Sequence, residues 1–499
     1  MSRSFRFARN VGFNMLGHLF TILVNFAVVP RLVDSLGHEG YGLYVLLFTV
    51  GAYLSLLSFG AGAAVVVHIS SFSSSGDGRA LKDALLQSAA FHLGGAALGA
   101  ALLAIAAPIL ASRAFNLPPE LMATGVWMLR CAAAAAICVC LLHWALAVMT
   151  GLQRFDWHNA LNVSVGVSLP LGSLLLAWKG FGLESIALWY VGANALGAIL
   201  GLAAACILLR PFLAKTGPRR LGPGEFARFS LGLWTGQIAS SVTYQMDKVL
   251  IARAVSLRDL TLYSIPSGLI QRLQILPATV ASVLAPMISE VGGQDAEETL
   301  RRMYLKSVRF LLWVMLPLDA LLFALMPQFL TLWLGSDFGM ESVWPARLLV
   351  LSQVFSILTV IPSSVAVGRA RPWHLSALAW SQAVLSLVCW WYLLPRWQIL
   401  GAALGALAAQ AIPAIFYLSA IHKLLKLEPA RYLEQGLLRP GLSAAALLLL
   451  VFPVHAWAGT WPRLLSLVLA GMLVYCASTW YWLPPEDRRL IKDFLRFQG

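Results

Sequence analysis

Long apolar stretches, separated by short breaks that are charged or rich in proline and glycine, follow one another along nearly the whole chain. A run of about 20 apolar residues is long enough to cross a bilayer as a helix. A transmembrane β-barrel would need short segments of alternating polarity instead. The pattern therefore predicts an all-α polytopic membrane protein with fourteen spans, near residues 11–33, 41–69, 83–111, 121–150, 156–178, 184–210, 229–254, 260–289, 304–333, 343–367, 374–394, 400–422, 438–457 and 463–483.

The first part of the chain recurs later in the sequence at one fixed offset, without gaps. Residues 7–9 (Phe-Ala-Arg) recur as 226–228, residues 43–44 (Leu-Tyr) recur as 262–263, and ten identities fall in the 64 positions from 7 to 70. The polar positions follow the same offset, since a stripe on one face of the first helix returns on the matching helix. Its members are Asn14, Gly17, His18, Thr21 and Asn25, which correspond to Leu233, Gly236, Gln237, Ser240 and Tyr244.

Internal repeats of this kind are how membrane transporters build two halves around a central site. We therefore predict two pseudo-symmetric six-helix lobes around a central cavity. Their bounds are residues 1–210 and 229–423, joined by a basic cytoplasmic linker at 211–228. Residues 424–499 have no counterpart in the first copy and add two further helices and a cytoplasmic tail.

Charge is scarce and unevenly placed. Only 12% of the residues are charged, against 59% hydrophobic, and the net charge is +14. With a cytoplasmic N-terminus, alternate loops on the inner side carry 25 lysines and arginines and those on the outer side carry seven. This asymmetry predicts that both termini are cytoplasmic. The positive charge thus reflects topology and anionic lipid headgroups rather than nucleic acid.

Signatures of covalent chemistry are missing from the sequence. There is no phosphate-binding glycine loop, no nucleophile elbow and no pair of external carboxylates. All six cysteines lie inside apolar segments, and Cys138-x-Cys140 lacks the spacing and the second pair of a zinc site. We expect neither an enzyme, nor a metal site, nor a resident cofactor.

The informative residues are the ionisable groups inside the predicted spans, because each costs roughly 2.5 to 3.5 kcal/mol to insert at mid-helix. Arg272, Lys248 and Arg130 predict a cationic binding site for an anionic headgroup. Asp247 is the candidate for coupling to Na⁺ or H⁺, or it simply neutralises a basic neighbour. Arg130 and Arg347 could also snorkel to the interface, and Asp319 is given no role. Polar residues expected to line the cavity are Asn14, His18, Asn25, Gln237, Tyr244, Gln271 and Gln274.

Short motifs in a fixed order resemble those of polysaccharide-transporter flippases in the multidrug/oligosaccharidyl-lipid/polysaccharide exporter superfamily. This resemblance covers essentially the whole chain. It implies a fold like that of the multidrug exporters, alternating access, and a final helix pair that forms a groove for a lipid tail. The motifs are the Asn14 helix leading through Pro30 to residues 36–37 and 41–44, then Asp247-Lys248 with residues 263–266, then 286–289, then 332–335 with Phe338, and finally the tail at 485–488.

A lipid-linked diphosphate suits the predicted site, because it is anionic and its sugars need many hydrogen-bonding partners. We therefore predict a flippase that moves polyprenyl-diphosphate-linked oligosaccharides, of the undecaprenyl type, to the outer leaflet of the bacterial inner membrane. Polysaccharide polymerase and chain-length machinery would be its partners. One alternative is a cation-coupled multidrug antiporter of the same superfamily. Another is a membrane glycosyltransferase, a polymerase or an assembly scaffold.

Overall fold

A computed structural model describes residues 3–75, 77–213, 221–290, 296–369, 371, 373–483 and 488. All regular structure in this part of the chain is helical. Short 3₁₀ turns or π-helical turns follow α1, α3, α13 and α14. The helices are α1 (Arg3–Leu54), α2 (Ala61–Ser75), α3 (Gly78–Ile109), α4 (Pro119–Gly151), α5 (Phe155–Trp178), α6 (Leu183–Leu213), α7 (Pro223–Ala254), α8 (Leu257–Arg272), α9 (Ile275–Glu290), α10 (Ala296–Leu334), α11 (Ser336–Gly368), α12 (Trp373–Leu425), α13 (Pro429–Tyr432), α14 (Arg439–Val454) and α15 (Trp461–Trp482).

Ten helical stretches among the described residues are long and apolar enough to cross a membrane. Two of them bend sharply, α1 at Gly37, with φ of 69°, and α12 at Trp397 and Gln398. Helices α7, α8 and α9 are not among the ten, although the sequence predicts spans at 229–254 and 260–289. The prediction of an all-α multi-pass membrane protein is confirmed. The number of fourteen spans stays a prediction.

Residues Met1–Thr261 form one compact unit. Within it α4 packs against α3 and α6, α1 packs against α5, and α7 contacts α1 and α2. Small residues allow the helices to approach closely, and Gly42 is the clearest case. A Cβ atom at this position would lie 2.1 Å from the backbone oxygen of Leu257. The start of α8 is therefore packed directly on the backbone of α1.

Residues Leu262–Gly499 form the second compact unit. Here α10 packs against α11, α14 and α15, and α11 packs against α9 and α12. The Tyr475 hydroxyl on α15 donates a 3.0 Å hydrogen bond to the backbone oxygen of Trp313 on α10. Leu447 and Val451 of α14 are fully buried in the same apolar cluster. The two helices with no counterpart in the first copy are thus fastened to α10.

The helix boundaries repeat along the chain as the sequence does. Helices α3, α4 and α5 begin at Gly78, Pro119 and Phe155, and their counterparts α10, α11 and α12 begin at positions 296, 336 and 373. The offset is nearly the same in all three pairs, and it is only one or two residues shorter than the one by which residues 7–9 recur as 226–228. The end of α5 at Trp178 likewise corresponds to the bend of α12 at Trp397. Because insertions would have shifted these positions, the internal repeat extends well beyond residues 7–70.

Two predicted spans are broken rather than continuous. The span predicted at 41–69 is interrupted between Leu54 and Ala61, and the span at 260–289 is interrupted between Arg272 and Ile275. The breaks lie at equivalent positions of the repeat, since Leu54 and Arg272, where the first half-helices end, are separated by nearly the repeat offset. Broken helices inside a membrane leave backbone groups free and are typical of transporter binding sites.

Candidate functional site

Lys248 and Asp247 lie side by side near the end of α7, and both are buried. The Lys248 ammonium donates a 2.8 Å hydrogen bond to Oε1 of Gln245 and a 3.5 Å hydrogen bond to the backbone oxygen of Tyr244. Asp247 instead accepts the backbone N–H of Lys248 at 2.8 Å. The direct hydrogen bonds of the ammonium thus go to neutral acceptors, which stabilise the cation without cancelling its charge.

Side chains of α7 also contact the break that follows α1. The Tyr53 hydroxyl donates to the backbone oxygen of Ser241 at 3.5 Å, and the Trp234 indole N–H donates to the backbone oxygen of Leu56 at 2.6 Å. A break leaves carbonyl groups without helical partners, so the indole satisfies one of them. Tyr53 and Gln245 were not predicted as site residues. For Gln245, the only signal in the sequence is its position three residues before Lys248 on the same helix.

The predicted polar stripe on α7 is divided in the structure. Gln237 and Tyr244 are exposed, whereas Asp247 and Lys248 are enclosed. On the equivalent stripe of α1, the Asn25 amide donates to the backbone oxygen of Thr21 at 2.8 Å within its own helix. The side chains predicted at Asn14 and His18 lie outside the described residues.

Arg130 lies on α4 between buried neighbours, and its own side chain is exposed. Leu129 and Cys131 face the protein interior. Arg130 therefore occupies a different helix face from the packed core of the first unit. This placement is compatible with either of the two interpretations that the sequence allowed.

In the second unit Arg272 is the last residue of α8. The sequence predicts one unbroken span at 260–289 that includes Arg272, and this continuity is wrong, because the helix ends at Arg272. The backbone N–H groups of Leu273 and Gln274 donate to Ile270 and Gln271 oxygens at 3.1 Å in a tight turn before α9. A cation at a helix C-terminus is stabilised by the helix dipole, so the break itself favours a charged Arg272.

Gln274, in the same turn, connects to α11. Its amide donates to Oε1 of Gln353 at 2.6 Å and to Oγ of Ser356 at 3.0 Å. The Gln271 amide donates to Oγ of Ser267 at 3.2 Å on α8. Among the polar residues predicted in the second unit, Gln274 thus forms hydrogen bonds to another helix, α11. Its partner Gln353 was not predicted from the sequence.

Two further charged groups lie in α10 and α11. Asp319 is 2% exposed, and neither carboxylate oxygen has a hydrogen-bond partner in the described part of the chain. The Arg347 Nε donates to the backbone oxygen of Phe323 at 3.0 Å. Its guanidinium lies 5.3–5.4 Å from the ring centres of Phe323, Trp344 and Phe452. Arg347 is therefore enclosed by aromatic rings, which stabilise it by cation–π interaction.

The predicted site residues divide between the two units. Arg130, Gln237, Tyr244, Asp247 and Lys248 belong to the first unit, and Gln271, Arg272 and Gln274 to the second. Each unit therefore contains cationic and amide side chains among its predicted site residues. Among the described residues, no group of three or more His, Cys, Asp or Glu side chains could hold a metal ion.

A multi-pass helical protein with broken helices and buried cations belongs to the class of membrane transporters. A family model described as "Polysaccharide biosynthesis protein" matches residues 28–342. The chain belongs to this family. A putative O-antigen transporter of Shigella flexneri is 22% identical over 414 residues, which are 80% of this chain and 93% of the relative.

Solved structures share the fold at low sequence identity. The lipid II flippase MurJ in an inward closed conformation aligns with a TM-score of 0.69 and 14% identity, over 97% of this chain and 99% of MurJ. An inward-facing multidrug resistance MATE transporter of the MOP superfamily aligns with a TM-score of 0.65 and 15% identity, over 81% of this chain and 94% of the transporter. The fold is therefore MATE- and MurJ-like, and the protein is a transporter rather than an enzyme.

Proposed function

We propose that the protein is a flippase for lipid-linked oligosaccharides, which carries the glycan headgroup across the membrane while the lipid tail stays in the bilayer. The observation that carries this proposal is the buried Lys248, whose ammonium is hydrogen-bonded only to neutral acceptors among the contacts described above. A diphosphate headgroup needs such a cation. The likeness to a putative O-antigen transporter and to the fold of a lipid II flippase supports the same substrate class.

In the proposed mechanism, Lys248, Arg272 and Arg130 attract the diphosphate. The remaining polar residues, including Gln237, Gln274 and the equivalent stripe on α1, solvate the sugars. Two lobes, 1–210 and 229–423, rock so that the cavity opens inward and then outward. Asp247 binds the coupling Na⁺ or H⁺. The polyprenyl-diphosphate carrier and the polymerase and chain-length partners follow from the substrate class.

The proposed topology has fourteen crossings of the bacterial inner membrane with both termini in the cytoplasm. The excess of lysine and arginine in alternate loops supports this orientation. The bends at Gly37 and at Trp397–Gln398 supply two of the required reversals between spans. The 211–228 linker and the 424–499 segment keep the roles that the sequence predicts.

Reconstitution in liposomes tests the function directly. Purified protein is incorporated into vesicles with a fluorescent polyprenyl-diphosphate trisaccharide, and movement between leaflets is followed by a membrane-impermeant quencher. Lys248→Gln and Arg272→Gln should each lower the rate by about tenfold or more, because each removes a charge-assisted contact of about 1.5–3 kcal/mol. Lys179→Gln, in an exposed position after α5, serves as the matched control and should leave the rate unchanged.

Folded wild-type protein that moves no glycolipid in these vesicles would refute the proposal. The second candidate is multidrug antiport, favoured by the fold similarity to MATE transporters. Export of cationic dyes from cells that express the protein would support it. The four cations against two anions among the intramembrane residues weigh against a cationic substrate.

A further inference from the structure

An open groove of about 860 Å³ lies on the first unit, between α1, α5 and α6. None of the residues assigned to the proposed transport site lines it. Its walls include Arg31 and Asp34 of α1, Leu171, Leu175 and Trp178 of α5, and Trp189 of α6. The groove therefore combines apolar walls, two indole rings and two charges of opposite sign.

The floor of the groove depends on one glycine. A Cβ atom at Gly172 would lie 2.2 Å from the indole of Trp189, so only glycine allows the ring to lie against α5 at this position. The indole N–H donates a 3.1 Å hydrogen bond to the backbone oxygen of Ser168. Because its polar atom is satisfied, the ring presents an apolar face.

The groove has the length of one lipid leaflet. From Ser168 to Trp178 the helix α5 advances by about 15 Å, at roughly 1.5 Å per residue. This is half of the hydrocarbon core of a bilayer, about 30 Å. Leu171 and Leu175 are 45% and 52% exposed along this length. The apolar wall can therefore accompany a lipid chain from the middle of the membrane to one surface.

Polar groups are concentrated at one end of the groove. Arg31 uses Nη1 to donate to the backbone oxygen of Ala27 at 2.9 Å, and the rest of its guanidinium is exposed. The exposed Asp34 carboxylate forms no hydrogen bond or ion pair in the described part of the chain. Trp178, at the same end, is 78% exposed. Together these groups offer a phosphate partner, an acceptor for hydroxyl groups and a ring on which a sugar can stack.

We propose that this groove is a second lipid-binding site, which holds a lipid-linked glycan by one chain and by the first part of its headgroup. The proposal rests on the proposed function for its substrate class. In the proposed topology the charged end lies at the outer surface, because α1 runs outward before its bend at Gly37. The occupant is then the translocated product on its way out of the protein.

Charge complementarity favours this occupant over a simple anionic lipid. Asp34 would repel a lone phosphate placed on Arg31, whereas a glycosyl phosphate carries hydroxyl groups that donate to the carboxylate. The main competitor is a zwitterionic phospholipid such as phosphatidylethanolamine, whose phosphate and ammonium could also match Arg31 and Asp34. Competition between phosphatidylethanolamine and the glycolipid for a crosslinker in the groove separates the two.

Photo-crosslinking in nanodiscs tests the site on the full-length protein. Benzoylphenylalanine replaces Leu175 in the groove or, as the matched control, Leu196 on α6, which is similarly exposed at 57%. The probe is the fluorescent polyprenyl-diphosphate trisaccharide, present in both leaflets. We expect about tenfold more adduct at position 175 than at 196, as for a tenfold higher affinity. Excess unlabelled probe should abolish the adduct, and Asp34→Asn should reduce it severalfold.

Three results would overturn the proposal: equal adduct at both positions, displacement by phosphatidylethanolamine as efficient as by the probe, or displacement by sugar-free polyprenyl phosphate as efficient as by the probe. The groove and the transport site can fail separately. Lys248→Gln should slow flipping in liposomes by about tenfold or more and leave the adduct at position 175 intact. Loss of the groove adduct with unchanged flipping would reject only the groove, and an adduct without any flipping by wild-type protein would reject the proposed function.

Discussion

Nζ of Lys248 lies 2.8 Å from Oε1 of Gln245, one turn earlier on α7. The ammonium is thus hydrogen-bonded to an uncharged amide, while the carboxylate of the adjacent Asp247 accepts the backbone N–H of Lys248. This hydrogen bond to Gln245 partly offsets the cost of burying the positive charge of Lys248 inside the protein.

This contact predicts that Gln245→Glu lowers transport without unfolding the protein. A carboxylate at the same distance would form an ion pair with Lys248 and compete with the diphosphate for it. We expect flipping in liposomes to fall by about tenfold, with an unchanged thermal unfolding midpoint in detergent. Gln435→Glu, at an exposed position outside α7, is the control. Full activity of Gln245→Glu would argue against a role for the Lys248 charge.

A second prediction concerns the link between the α8–α9 break and α11. Gln274→Leu should destabilise the protein by about 1–3 kcal/mol, because it leaves the buried Gln353 oxygen unsatisfied. Gln353→Leu should cost about 0.5–1.5 kcal/mol, because the half-buried Gln274 amide keeps its hydrogen bond to Ser356. The double variant should lose less than the sum, with a coupling of about 0.5 kcal/mol or more. Thermal unfolding of the four proteins in one detergent gives the cycle. Additive losses would mean that the 2.6 Å contact is not formed in the folded protein.

Gly42 provides a steric prediction. Gly42→Ala would push a methyl group into the backbone oxygen of Leu257, to a distance of 2.1 Å, so it should destabilise the protein by about 1–3 kcal/mol. Gly94→Ala in α3, where a Cβ would meet nothing within 4 Å, should be neutral or stabilising by up to about 1 kcal/mol. Unfolding midpoints of the two variants compared with wild type decide the matter. Equal behaviour of the two would contradict the close packing of α1 and α8.

We expect Asp319 to lower the stability of the folded protein. Because its buried carboxylate finds no hydrogen-bond partner among the described residues, Asp319→Leu should raise stability by about 1–3 kcal/mol. The measurement is thermal unfolding, with transport assayed in parallel. A lower midpoint would show that the carboxyl group is satisfied in the folded protein. A higher midpoint with lost transport would show that the cost is kept for function.

Tyr475 should contribute modestly to the attachment of the last helix pair. Tyr475→Phe removes the hydrogen bond to the backbone oxygen of Trp313 and should cost about 1 kcal/mol. Tyr481→Phe, which is 73% exposed on the same helix, should have no measurable effect. Protease accessibility of α15, compared between these two variants, would detect local detachment. An identical digestion pattern would assign the attachment to apolar packing alone.

The helical fold was predictable because it depends on the length of apolar segments. The repeat was predictable because the same residues recur at one offset. The breaks between Leu54 and Ala61 and between Arg272 and Ile275 were not. The apolar pattern continues through both breaks, and hydropathy describes side chains rather than backbone hydrogen bonds. The sequence therefore placed Arg272 inside an unbroken helix, whereas it is the last residue of α8.

The sequence indicates the chemical types of the candidate site residues but not their hydrogen-bond partners. Lys248, Asp247 and Arg272 stand out because charged residues are rare in apolar segments. Gln353, which accepts from Gln274 across 79 positions, and Tyr53, which reaches Ser241 across 188, carry no local signal. Contacts over such separations depend on how helices pack, which spacing along one helix does not reveal.

The packing of α14 and α15 against α10 means that these three helices would move together. Tyr475 joins α15 to Trp313, and Leu447 and Val451 bury α14 against the same helix. Near its C-terminus α10 packs closely against the start of α11, where a Cβ on Gly339 would lie 2.1 Å from the Thr331 hydroxyl. A tilt of α10 would therefore also displace α14 and α15. A spin label at the exposed Leu473 would register that tilt with no probe on α10 itself.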